Sequence, residues 1–247
     1  MKVVVIGGTG LIGSKVVTRL GKMGHEAVAA APDTGVNTLT GEGLDAAMEG
    51  ASAVVDVANS PSFEAAAVME FFQTSTGNVL AAARKAGAAH YVALSVVGTE
   101  RLPSSGYFRA KVAQEQLIID SGIGYSLVHA TQFFEFLDPI AQSSTDGGTV
   151  HIAPVRFQPI AADDVADIVA EVAAGAPLNG RIEIAGPDAY QFDELIRDFL
   201  RYKNDPREVL ADPHAPYFGA ELSQDSLVPG ANPRLGGRRL RDWLTSA

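Results

Sequence analysis

Apolar residues recur with two alternating periods through the first half of the chain. Residues 2–6 form a β-branched run, Lys2-Val3-Val4-Val5-Ile6, that fits a strand buried on both faces. Leu11, Ile12, Val16, Leu20 and Met23 then fall at helical spacing. The alternation repeats, with strands predicted over 25–31, 53–57, 90–95 and 125–129. Helices are predicted over 43–49, 62–86 and 107–121, the long one with a break near 75–77. Repeated β–α–β units predict an α/β fold, a parallel sheet with helices on both faces. The second half is less regular. It predicts helices over 163–174 and 192–202, a strand over 181–185, and a loop over 204–234, which is rich in Pro, Asp and Gly. A terminal helix over 236–244 should dock through Leu240, Trp243 and Leu244, with Arg238, Arg239 and Arg241 on its solvated face. No repeat or linker interrupts the pattern. The expectation is one domain over 1–247, with a core over 1–130 and substrate-cap elements over 131–247.

Composition narrows the chemistry. The chain has 247 residues, 47% of them hydrophobic, and no cysteine, which excludes disulfides, thiolate nucleophiles and iron–sulfur clusters. Lys and Arg number 19 against 29 Asp and Glu, a net charge of −10. Such a chain repels a phosphate backbone and an anionic lipid surface, so neither nucleic acid nor membrane is expected as a partner. No apolar stretch approaches the roughly 20 residues of a membrane span, and the run after Lys2 is too short for a signal peptide. A cytoplasmic protein is expected. The histidines 25, 90, 129, 151 and 214 have no metal-ligand spacing, so no metal site is expected, and His129 reads as a core residue.

The segment Gly7-Gly8-Thr9-Gly10-Leu11-Ile12-Gly13 lies between the first strand and the first helix. Gly7 suits the tight turn, Gly10 the approach of a pyrophosphate, and Gly13 close helix–strand packing. The amides of Thr9, Leu11 and Ile12 would meet the phosphates at the helix N-terminus. An acid at the end of the second strand would favour NAD, an arginine NADP. This chain has Ala30-Ala31-Pro32-Asp33-Thr34. Asp33 fits a ribose hydroxyl and Thr34 a 2′-phosphate, so NAD(H) and NADP(H) both stay open, with NAD(H) favoured and neither flavin nor metal expected. Ala58 and Asn59, after the third strand, and Thr131 complete the expected cofactor contacts.

Ser95 ends the predicted fourth strand, and Tyr107 and Lys111 follow at i, i+4 on one helix face. An ammonium beside a phenol lowers the phenol's pKa, so that tyrosine can protonate a carbonyl oxygen as hydride arrives. Serine would orient that oxygen, and lysine would also bind the nicotinamide ribose. Together the glycine loop and this trio resemble the atypical short-chain dehydrogenase/reductases, the NAD(P)-binding, NmrA-like and quinone reductase-like branch. The segments 78–87, 93–95, 107–122 and 163–166 carry the likeness further. The resemblance implies a Rossmann-type doubly wound parallel sheet with a small C-terminal substrate-binding portion. It also implies Asn78 as a proton-relay residue. The chain departs from the family in having His129-Ala130-Thr131 where Arg-Pro is usual.

Substrate should meet the carboxyl edge of the sheet at Ser60, Phe63, Val96, Val97, Gln132, Phe133 and Phe136, and the aromatics suggest a flat apolar molecule. The expected function is NAD(P)H-dependent reduction of a quinone or carbonyl on an aromatic small molecule, with polycyclic natural products among the candidates. Later reaction of a hydroquinone with oxygen would give net hydroxylation. The alternative is a redox sensor that binds dinucleotide without turnover, disfavoured by the intact Ser95, Tyr107 and Lys111. A sugar-nucleotide epimerase is disfavoured by the short C-terminal part. Monomer and homodimer both remain open.

Overall fold

The computed structural model describes residues 1–246. Its elements run β1 (Lys2–Ile6), α1 (Leu11–Lys22), β2 (Glu26–Ala30), α2 (Leu44–Met48), β3 (Ala53–Asp56), α3 (Ala65–Ala86), β4 (His90–Val96), α4 (Gly106–Ile119) and β5 (Gly124–Ala130). The second half adds α5 (Leu137–Ser143), β6 (Thr145–Asp146), β7 (Thr149–Ile152), β8 (Arg156–Phe157), α6 (Ala162–Ala174), β9 (Gly180–Ala185), β10 (Tyr190–Gln191), α7 (Phe192–Tyr202), β11 (Glu208–Ala211), β12 (Arg234–Leu235) and α8 (Leu240–Ser246).

Seven strands form one sheet in the order β12-β9-β5-β4-β3-β1-β2, every neighbouring pair parallel. This is the Rossmann-like α/β fold expected. Alternate side chains face opposite layers. Val3 and Val5 pack with Val16 and Leu20 of α1 and Val165 and Val169 of α6. Val4 and Ile6 pack with Val79 and Ala83 of α3 and Met48 of α2. Each such valine, fully buried, contributes roughly 1.5–3 kcal/mol. A third core joins Phe108 of α4 to Phe134, Ile152, Phe157, Phe192, Phe199 and Leu240 of the second half. The chain leaves β1 for β2 on one side and returns to β3 on the other, so the loops after β1 and β3 diverge. That divergence opens the crevice in which such sheets bind ligands.

Four local expectations are corrected. The helix predicted over 62–86 begins at Ala65 and runs unbroken, because Ser75 and Thr76 are buried on its packed face, and that packing offsets the ~1 kcal/mol a helical Gly77 costs. The stretch 204–234 is not all loop: β11 pairs with β7, and Arg234 pairs with Ile184. The 145–157 strands and α5 carried too few residues for a periodic signal. Arg238 and Arg239 precede α8 and are ion-paired, Arg238 with Asp167 at 3.0 Å and with buried Asp164, Arg239 with Asp188 at 2.7 Å.

Candidate active site

The glycine segment makes a tight cradle. Gly7 has φ +75°, and its amide donates to Ala30 O at 2.9 Å, tying the turn to the end of β2. A Cβ on Gly13 would lie 2.0 Å from Gly7 O, and one on Gly8 would lie 2.6 Å from Ala29 Cα. A Cβ on Gly10 would meet only Gly7 O, at 3.3 Å, so its outer side is open. Gly10 caps α1 without a side-chain bond, and first-turn amides have no acceptor inside a helix. The Leu11 side chain is exposed at this mouth, whereas that of Ile12 is in the core, so Ile12 faces the cradle with backbone alone.

At the end of β2, Thr9 Oγ1 donates to Asp33 Oδ1 at 3.0 Å. The carboxylate therefore stands beside the cradle. Thr34 does not suit a phosphate: its hydroxyl donates to Ala29 O and Ala31 O and accepts from Ala31 N. Asn78 is no proton relay either. Its amide donates to Thr38 O at 2.8 Å and Leu39 O at 3.1 Å, bracing the loop before α2. Ala58 abuts the cradle, with its backbone 3.0 Å from the Cβ position of Gly7.

The trio Ser95, Tyr107 and Lys111 departs from its expected arrangement. Lys111 is buried, donates to Leu94 O at 3.0 Å and to Gln114 Oε1, and lies 4.4 Å over the Phe72 ring. Burial lowers its pKa to about 8, while Asp56 and Glu115 act to raise it. The ammonium thus takes oxygen partners beneath the site rather than the phenol, and the phenol is not acidified: burial pushes Tyr107 up to about 12. The Tyr107 hydroxyl instead points to Asn59 Oδ1 at 3.4 Å. Ser95 is likewise not free to orient a substrate, because its hydroxyl donates to Glu115 Oε1.

Sequence reasoning missed the polar layer that holds these groups. Asp56 accepts from Tyr91 Oη at 2.8 Å and Gln114 Nε2 at 3.2 Å, and burial raises its pKa. Burial also works to raise Glu115, but His129, Ser95 and Lys111 outweigh it and hold the carboxyl below its usual range. His129 Nε2 lies 3.2 Å from Glu115 Oε1, out of line for a hydrogen bond. The available signal was spacing: Gln114 and Glu115 follow Lys111 at i+3 and i+4.

Tyr107 sits in an aromatic cage. Phe72 and Phe108 form its buried inner wall at 6.2 and 5.8 Å between ring centroids. Phe63 and Phe218 form the exposed outer wall at 5.7 and 5.6 Å. Of the expected substrate residues, the structure brings Phe63 here. Phe133 and Phe136 stack on each other at 5.1 Å, and Phe133 packs on the α1–α6 core instead. Val97 is wholly buried, and Val96 packs on the second-half core. Ser60 is taken up in a turn, accepting from Ser62 N at 3.2 Å. Thr131 Oγ1 and both amide atoms of Gln132 are buried without a hydrogen-bond partner among the described residues, a cost of about 1–3 kcal/mol each. Tyr217, beside Gln132 and close to Tyr107, and Phe218 were missed because their stretch read as loop. The adjacent Tyr217-Phe218-Gly219 was the signal available there.

These residues fit a dinucleotide: a cradle that a Cβ would fill, free helix amides, a carboxylate beside it, and unmet polar atoms at the end of β5. Among the described residues no group of His, Asp and Glu could hold a metal, and no helix is long and apolar enough to cross a membrane.

Comparison with known proteins agrees with this geometry. Residues 7–175 match a family described as NAD(P)H-binding. The photosystem II assembly factor Ycf39 of Synechocystis is 23% identical over 151 residues, 56% of this chain and 46% of that protein. The matched region is thus about half the length of that relative. Among solved structures, the NADPH-dependent quinone oxidoreductase QOR2 of Escherichia coli, complexed with NADPH, superposes with TM-score 0.66 at 21% identity over 85% of this chain and 77% of its own. Triphenylmethane reductase of Citrobacter, complexed with NADP(H), gives 0.64 at 19% over 86% and 79%. UDP-glucose 4-epimerase of Thermus thermophilus, complexed with NAD, gives 0.70 at 18% over 92% of both.

Proposed function

The chain belongs to the NAD(P)H-binding family, and from that premise we propose that it is an oxidoreductase reducing the quinone or carbonyl group of a planar aromatic small molecule. The observation that carries this reading is the cage: one phenol, walled by Phe63, Phe72, Phe108 and Phe218, beside the glycine cradle. Flat apolar rings are what such walls bind.

The bound coenzyme supplies a hydride. The chain does the rest. The amides of Thr9, Leu11 and Ile12 bind the diphosphate at the positive end of α1. Asp33, steadied by Thr9, takes the ribose hydroxyls. Thr131 and Gln132 offer their unmet polar atoms to the carboxamide and the acceptor oxygen. Tyr107 holds its proton at Oη and delivers it toward that oxygen, and solvent replaces it. A quinone takes up one hydride and one proton and leaves as hydroquinone. The Lys111 ammonium, set among Asp56, Gln114 and Glu115, offsets the buried acids beneath the site. A hydroquinone that then meets oxygen would give the hydroxyquinone, one oxygen atom entering the ring and the other leaving as water, a route marked by oxygen uptake that matches coenzyme oxidation and yields no hydrogen peroxide.

NAD(H) is the proposed coenzyme. A 2′-phosphate beside Asp33 would be repelled by roughly 1–4 kcal/mol at 4 Å, and Thr34 is already committed. Asp33→Ser is expected to improve NADPH use about tenfold relative to NADH; an unchanged ratio of kcat/KM values would place the ribose elsewhere.

The sugar-nucleotide reading gains one observation. An epimerase fold superposes over 92% of both chains, which removes the objection from length. The aromatic outer wall still opposes it, because a second pyrophosphate needs cations there. The sensor reading leaves Tyr107 and Lys111 without a task. The test compares two variants on a naphthoquinone. With a quinone, Lys111→Ala is expected to cut turnover more than Tyr107→Phe, since the hydroquinone forms readily without a strong acid. The reverse order would point to an ordinary ketone, and binding of coenzyme without turnover on any acceptor would favour the sensor.

A further inference from the structure

Residues 217–220 form a closed two-residue turn. Tyr217 N donates to Ala220 O at 2.8 Å, and Ala220 N donates to Tyr217 O at 3.1 Å. Both central residues are left-handed, Phe218 at φ +47° and Gly219 at φ +79°. Such turns favour Asn, Asp or Gly at the first position. A phenylalanine there is strained, and strain of this kind persists where surrounding contacts over-determine it.

Those contacts are all aromatic. Phe218 stacks on Tyr107 at 5.6 Å and 28°, lies 5.2 Å from Phe63 and meets Tyr217 edge-on at 4.8 Å. Yet Phe218 is 41% exposed and Phe63 53%, while Phe72 and Phe108 behind Tyr107 are each 1% exposed. The inner wall is core and the outer wall is a surface. A third ring between Tyr107 and Phe218 would need about 7 Å, twice the ~3.5 Å contact spacing, and the two rings are closer than that. The buried amide of Gln132 lies beside Tyr217 with no hydrogen bond of normal geometry.

We propose that Phe218 is a placeholder in the acceptor site: its ring holds the slot against Tyr107 and Phe63 that a planar acceptor takes, and a flat ring of similar width displaces it while the acceptor's oxygen reaches Gln132. This deepens the reductase reading and rests on it for the acceptor's identity. Displacement exchanges one stack for another and releases the left-handed strain at residue 218. An aliphatic ketone restores no stack, so the site selects against it.

The test separates binding from turnover. 2-Naphthol is a fluorescent planar ring that accepts no hydride, and its anisotropy reports binding to the NADH-saturated protein. Phe218→Gly keeps the turn and removes the competing ring; Phe218→Asn, also tolerant of the left-handed region, is the second ringless variant should the first fail to fold. Both are expected to bind 2-naphthol about fivefold tighter, the factor that one lost stacking contact is worth. They should also lower KM for a naphthoquinone, because no ring then has to be displaced. Folded variants that bind 2-naphthol as the wild type does, or more weakly, would overturn the proposal. Tighter binding without coenzyme oxidation on any acceptor would uphold the placeholder and sink the reductase.

Discussion

Lys111 keeps a charge where charge is hardest to keep. Burial pulls its pKa from 10.5 to about 8, with Asp56 and Glu115 opposing. A folded lysine with a depressed pKa binds fewer protons than the unfolded chain between those values. Stability from this group therefore rises as pH climbs through that window, by about 3 kcal/mol in all. Activity should move the other way. Above about pH 8 the ammonium that offsets Glu115 is lost from the floor of the site, whereas Tyr107, at about 12, stays protonated. We expect kcat/KM to fall with a midpoint near 8, and Lys111→Arg, which does not titrate there, to flatten that limb; an unmoved limb in the variant would assign the ionisation elsewhere. The glycines separate in the same way. Gly10→Val should fold and lose dinucleotide binding, because its Cβ meets only Gly7 O at 3.3 Å. Gly13→Val should fail to fold, because its Cβ would lie 2.0 Å from the same atom. Thermal melting with and without NADH checks both. The spacing of Tyr107 and Lys111 was legible in the sequence. Their partners were not, since nothing local shows that the fold buries Gln114 and Glu115 beside Lys111.

Between elements, the decisive contacts are the acids of α6. Asp164 is buried and receives Arg238 N at 2.9 Å together with the Arg238 guanidinium. This seats the C-terminal segment against the start of α6. Asp163 binds Lys15 at 3.0 Å and Arg19 at 2.7 Å, joining α6 to α1. Asp164→Ala should cost about 2–4 kcal/mol, since it leaves the Arg238 amide without its acceptor and removes one of the two carboxylates on the Arg238 guanidinium. At this chain length that is a melting point lower by roughly 5–15 °C; a shift under about 2 °C would mean that the seat carries little. Every strand of the first five and every long helix was legible from periodicity, because each presents a full apolar stripe to one sheet. The short strands between Thr145 and Phe157 were not, as two to four residues carry no period. β11 hid in a stretch whose Pro, Asp and Gly content signalled loop, because its pairing with β7 is tertiary.

At the scale of the molecule, the cage is assembled from four stretches: the loop carrying Phe63, α3 with Phe72, the start of α4 with Tyr107 and Phe108, and the turn at Phe218. A local pattern finds Tyr107, whereas only the fold brings Phe218 to it. Phe133 and Phe136, aromatic and at the right edge, are near neighbours in the chain and stack on each other instead. The most direct measurement is oxidation of NADH by the wild-type protein with 1,4-naphthoquinone, air excluded, with the hydroquinone quantified. One hydroquinone should form for each NADH consumed, with NADPH a poorer donor. A protein that binds NADH tightly but leaves it unoxidised, with this and every other planar acceptor, would contradict the reductase.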